Sequence, residues 1–100
     1  MNLDIASILA EGRRIWGPRH TAQTLSSVLV RLGVSFGDLC RVARNADKDQ
    51  TLGDAEVKKE LGNIIVSTIR WCDDLGFDVN DCIAAAFRSQ EAFAKTNKNR

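Results

Sequence analysis

The sequence predicts an all-α fold, a bundle of about four helices, and three observations carry that expectation. Apolar residues recur at helical spacing along most of the chain. No segment shows the alternation of a half-buried strand. Breaks are few: a single proline, Pro18, and short polar or glycine-containing stretches separate the periodic runs. A chain of 100 residues, 44% hydrophobic and 27% charged, makes one globular domain, 1–100, rather than a disordered segment.

The first helix is expected from about Leu3 to Ile15, with Ile5, Ile8, Leu9 and Ile15 near helical spacing. Trp16-Gly17-Pro18-Arg19 ends it, because proline restricts the residue before it and lacks an amide donor. Thr21 is placed to cap a second helix whose apolar face is Leu25, Val28, Leu29, Leu32, Phe36, Leu39, Cys40 and Ala43. Gly33 and Gly37 interrupt that helix and suggest a kink or a close helix contact. Asn45 to Gly53 reads as a polar, turn-like connection.

A third helix runs from about Asp54, its cap, to Asp74. Its inner face is Val57, Leu61, Ile64, Ile65, Thr68, Trp71 or Cys72, and Leu75, and Gly76 suits the stop. The fourth starts near Val79, capped by Asp78, with Cys82, Ile83, Ala86, Phe87 and Phe93 inward; the tail Lys95–Arg100 frays. Two long antiparallel helices with a shorter one before and one after suit a helical bundle. A core this small has a thin stability margin, and self-association would cover apolar surface that one short bundle leaves open.

Several function classes fall away on composition. Fourteen basic and 13 acidic residues give a net charge of +1, which carries no bias toward nucleic acid, membrane or acidic partners. There is no 18-residue apolar run, so no transmembrane helix is expected. Met1-Asn2-Leu3-Asp4 lacks a basic-then-apolar layout, which argues against secretion. Cys40, Cys72 and Cys82 are odd in number and form no CxxC. They read as buried thiols in a reducing, cytoplasmic setting rather than as disulfide or zinc ligands.

His20 has no neighbouring cysteine or acid to suggest a metal site or a triad. Ser26, Ser27 and Ser35 lack the strand-to-helix GxSxG setting of a hydrolase nucleophile. Trp16 and Trp71 read as packing or interface aromatics, and Arg13, Arg14, Arg19, Lys95, Lys98 and Arg100 as solvated surface charge. A helix-turn-helix fails because the linker is long and the third helix too apolar along one face to lie in a groove.

The informative stretch is Arg31-Leu32-Gly33-Val34-Ser35-Phe36-Gly37-Asp38-Leu39, followed by Glu60-Leu61-Gly62-Asn63-Ile64-Ile65. It resembles the MazG-type all-α nucleoside triphosphate pyrophosphohydrolases. There, an EExxE motif on one helix and an ExxD motif on the next hold magnesium, which bridges the substrate phosphates and helps water attack. Carboxylates three or four residues apart share a helix face, so two such helices side by side aim four acids into one cleft. Magnesium takes oxygen ligands and keeps waters that can become nucleophiles.

On this chain the first motif reads Val34-Ser35-Phe36-Gly37-Asp38, without both leading glutamates; the second reads Glu60-Leu61-Gly62-Asn63, with an amide for the aspartate. The 21 residues between the two motifs stay within the family's range. Trp71-Cys72-Asp73-Asp74-Leu75-Gly76-Phe77-Asp78-Val79 is similar to the family's helix-ending turn, and Ala92-Phe93-Ala94-Lys95-Thr96 to its closing segment, so the likeness covers about residues 21–97.

The resemblance implies a divergent, degenerate-site member that binds a nucleotide or related phosphorylated ligand with weak or no hydrolysis. Asp38 and Glu60 would then be retained magnesium ligands, Asn63 an auxiliary oxygen, and the assembly a homodimer or homotetramer. Two other readings stay open. In one, the bundle is a non-catalytic binding or assembly protein, with Asp38, Glu60 and Asn63 as polar residues at an interhelical seam, Asp38 near Arg41 or Arg31. In the other, an apolar cleft lined by Val34, Ser35 and Phe36 takes a small molecule.

Overall fold

Short polar side chains set the helix boundaries. The computed structural model describes residues 3–19, 24–49 and 54–97, and in them the chain forms four α-helices and no strand. They are α1 (Ile5–Trp16), α2 (Leu25–Asp49), α3 (Asp54–Asp74) and α4 (Val79–Asn97). The Asp4 carboxylate accepts from the Ser7 amide at 2.7 Å and caps α1. Thr24 Oγ1 accepts from the Ser27 amide at 3.2 Å at the head of α2, and Asp78 Oδ1 from the Asp81 amide at 3.1 Å at the head of α4. The cap expected at Thr21, the side chain of Asp54 and His20 lie outside the described residues.

Two glycines in the left-handed region close α1 and α3. Gly17, at φ 93°, donates its amide to the Arg13 carbonyl at 2.8 Å. Gly76, at φ 85°, completes a Schellman end. Its amide donates to Asp73 O at 2.9 Å and that of Phe77 to Cys72 O at 3.0 Å. Where the sequence suggested a turn from Asn45, α2 instead continues to Asp49. Nothing in Asn45-Ala46-Asp47-Lys48-Asp49 forbids a helix, and no Gly or Pro lies in it.

The hub is α3, against which α2, α1 and α4 all pack, α2 most extensively. On α2 the covered strip is narrow: Val28, Leu32, Ser35, Leu39 and Val42, a heptad-like seam, with Asp38 beside Leu39. The broader apolar face that periodicity suggests is not covered. Leu25, Leu29, Phe36, Cys40 and Ala43 stand exposed, and so do Ile83, Phe87 and Phe93 of α4. The close helix contact expected at Gly33 and Gly37 is absent within the described residues, where an added Cβ would meet nothing within 4 Å.

Among the described residues the buried set is correspondingly small: Gly12, Val28, Trp71 and Val79, with Asp73 and Asp74. The radius of gyration is 16.2 Å, against about 13 Å for a compact chain of this length. The accessible surface is 7734 Å², roughly 2,100 Å² above that of a compact monomer of 11.0 kDa. No described helix is long and apolar enough to cross a membrane.

Charged groups hold α1 onto α3. Arg13 Nη2 donates to Asp73 Oδ2 at 2.9 Å. Arg70 donates to Gly12 O at 2.8 Å through Nη1, to Pro18 O at 3.0 Å through Nη2, and to Asp74 Oδ1 at 3.4 Å through Nε. One guanidinium thus fastens the last turns of α1 and the loop behind them. No buried side-chain nitrogen or oxygen among the described residues lacks a hydrogen-bond partner.

Candidate functional site

Four of the residues singled out in the sequence line one cleft. Ser35 and Asp38 from α2, with Glu60 and Asn63 from α3, line one cleft of about 650 Å³, joined by Lys58, Lys59 and Gly62 and closed at one side by Trp16. Helical spacing explains the grouping: Ser35 and Asp38, like Glu60 and Asn63, lie three apart and share a face. Asp38 shares this cleft with Glu60, while Arg31, two turns earlier on α2, lines the neighbouring cavity with Arg70. Val34 and Phe36 line neither this cleft nor its neighbour and stand exposed.

Both carboxylates have cationic neighbours. Asp38 Oδ1 accepts from Arg41 Nη2 at 2.6 Å, the seam pairing that the sequence allowed, and its side chain is 40% exposed. Glu60, at 13%, is more enclosed and lies 3.6 Å from Lys59 Nζ. Lys59 also meets Glu56 at 3.1 Å, and hydrogen bonding to Glu56 raises its pKa above the ordinary lysine value. Lys58 forms no ion pair among the described residues, which leaves its ammonium for a cleft anion.

The donor set can be weighed against magnesium. Asp38, Glu60 and Asn63 offer two carboxylates and one amide oxygen, and no group of three or more His, Cys, Asp or Glu among the described residues could hold a metal ion. With both carboxylates partly neutralised, the protein alone does not make a strong divalent site. Phosphate oxygens of a bound ligand would have to complete the shell.

A second cavity of about 580 Å³ adjoins the first and shares Ile15, Trp16, Val66 and Ser67 with it. Trp71, only 8% exposed, is part of its lining, together with Leu3, Ile8 and Gly12 from the α1 side. The sequence reading missed the role of Trp16 and the lysines here. A signal was present, because Lys59, Asn63, Val66 and Arg70 continue the motif face of α3 turn by turn.

The three cysteines are free thiols. Cys40 is exposed, against the expectation of burial, because no described helix covers that edge of α2. Cys72 and Cys82 are partly buried across the α3–α4 turn, and burial, followed by the Cys82 hydrogen bond, pushes the Cys72 thiol up to about 11. Compared with protein-family models, curated proteins and solved structures, the chain matches none.

Proposed function

We propose that this chain is a divergent MazG-like bundle that binds a nucleotide or a related phosphorylated ligand with little turnover. The supporting observation is the convergence of Ser35, Asp38, Glu60 and Asn63 from two helices on one cleft that also carries Lys58 and Lys59. The lysines would take phosphate oxygens, while Asn63 and Ser35 supply neutral hydrogen-bonding groups. Asp38, Glu60 and Asn63 would hold magnesium together with the ligand's own phosphates.

Turnover would be low for an electrostatic reason. Both leading glutamates and the aspartate of the family pattern are missing, and Arg41 and Lys59 already offset the two carboxylates that stand. A weakly held metal lowers the pKa of its water less effectively.

The test is pyrophosphate release from a panel of nucleoside triphosphates with magnesium, alongside melting temperature, for the full chain and Glu60→Gln. The reading expects wild type to melt higher with nucleotide and magnesium than with either alone, and Glu60→Gln to lose that gain. Equal inactivity of both proteins, with no rise in melting temperature from nucleotide or metal, would reject it.

Surface area favours a second, compatible reading, self-association into a homodimer or homotetramer. The excess of roughly 2,100 Å² over a compact monomer is what one partner contributes to a large obligate interface. The exposed apolar residues of α2 and α4 would face the partner. Light scattering should give a multiple of 11.0 kDa; a clean monomer at high concentration would contradict this reading.

A further inference from the structure

The apolar cavity beside the cleft has its own recognition chemistry. Its volume, about 580 Å³, falls in the usual small-molecule range of roughly 300–1,000 Å³. The backbone of its α1 wall is tied to α3 by Arg70, which donates to Gly12 O and Pro18 O. Trp71 gives it a buried aromatic surface and Trp16 an exposed one beside the opening to the polar cleft.

Among the described residues four charged ones line it, and three of these are compensated. Glu11 is bound by Arg14, and Arg70 and Asp74 bind each other. Arg31 forms no ion pair among the described residues. Counting Arg14 with its partner, one positive charge is left over, on a planar fork of donors suited to a carboxylate.

We propose that this cavity binds a small organic monoanion with an aromatic body, its rings against Trp16 and Trp71 and its carboxylate on Arg31. The site is distinct from the phosphate cleft: the two share Trp16 but no charged residue. A polyphosphate, strongly hydrated and multiply charged, would find only one cation here and a mostly apolar wall.

Calorimetric titration of the full chain with 2-naphthylacetate and its neutral analogue 2-naphthaleneethanol tests the assignment. Wild type should bind the acid at one per chain and about tenfold more tightly than the alcohol, as expected for a charge-assisted contact at an apolar site. Arg31→Met should remove that preference while leaving alcohol binding in place, and Arg31→Lys should keep part of it. Arg31 is exposed, so these variants retain the fold, and circular dichroism checks this.

Lys58→Met with Lys59→Met should leave acid binding unchanged; a tenfold loss there would put the anion in the polar cleft and overturn the proposal. Equal affinity for acid and alcohol in wild type, or a preference that survives Arg31→Met, would do the same. So would binding that rises only as the chain is diluted below its self-association range, because a second copy would then be the natural occupant.

Discussion

The corner where α1 meets α3 and the outer faces of α2 and α4 solve opposite halves of the folding problem. At the corner, charged groups are withdrawn from water and each finds a partner: Asp74, 5% exposed, meets Arg70, and Asp73 meets Arg13. On the outer faces the side chains are apolar and lack cover: Phe87 is 66% exposed and Phe93 70%. The single chain satisfies its polar groups but leaves apolar surface open. Both candidate cavities lie among α1, α2 and α3, and the apolar one is lined by Arg70 and Asp74 of the corner itself.

The sharpest way to break this contrast is Arg70→Met. It removes the Arg70 ion pair from the enclosed Asp74 carboxylate together with two bonds to α1-side carbonyls, so it should cost about 2–4 kcal/mol in urea unfolding, the scale for losing charge-assisted hydrogen bonds. A loss under 1 kcal/mol would mean that the corner is held by something other than its charges.

The complementary substitution, Phe87→Asp, should behave oppositely. In a dilute monomer it should change stability by no more than about 0.5 kcal/mol, the usual range for an exposed position. It should weaken self-association at least about tenfold, as loss of an interface aromatic does. Sedimentation across a concentration series measures this, and unchanged assembly would remove α4 from the interface.

Smaller effects test the helix ends. Asp78→Ala deletes the side-chain acceptor at the start of α4 and should cost about 1 kcal/mol. Because α4 is lightly packed, that loss should appear as faster amide exchange through the α4 N-terminus rather than across the corner.

The smallest effect concerns Asp4, whose pKa is lowered below its ordinary 3.8 by the Ser7 amide hydrogen bond. A depressed carboxylate stabilises the fold fully above its unfolded value, and that contribution fades as pH falls through the lower folded value. Carboxyl NMR titration should therefore place the Asp4 midpoint below that of a denatured chain; an equal or higher midpoint would remove the cap from the account.

Much of the fold was legible because helix signals are local. The Pro18 break, the Asp78 cap, the Gly76 stop and the span of α3 all follow from residues within a few positions of each other. The overlooked cap at Asp4 was visible by the same rule. Which apolar stripe is covered is not local information. Val28 and Leu29 are equally hydrophobic neighbours, yet only α3's position decides that one is buried and the other exposed.

The candidate site divides the same way. The family resemblance singled out Asp38, Glu60 and Asn63, helical spacing put Glu60 and Asn63 on one face, and all three line one cleft. Trp16 reaches that cleft from the far end of α1, and periodicity within one helix carries no word of it. Val34 and Phe36 suggested an apolar cleft because an apolar residue stands where the resembled pattern has an acid, but adjacent residues on a helix point about 100° apart, and both stand exposed outside the cleft that Ser35 lines.

The central claim is that a phosphorylated ligand binds between α2 and α3, and amide NMR titration with a nucleoside triphosphate and magnesium tests it most directly. The account predicts saturable shifts centred on Ser35, Asp38, Lys58, Glu60 and Asn63, reduced in Glu60→Gln. Shifts centred on Arg31 and Trp71 instead, or none at millimolar ligand, would contradict it.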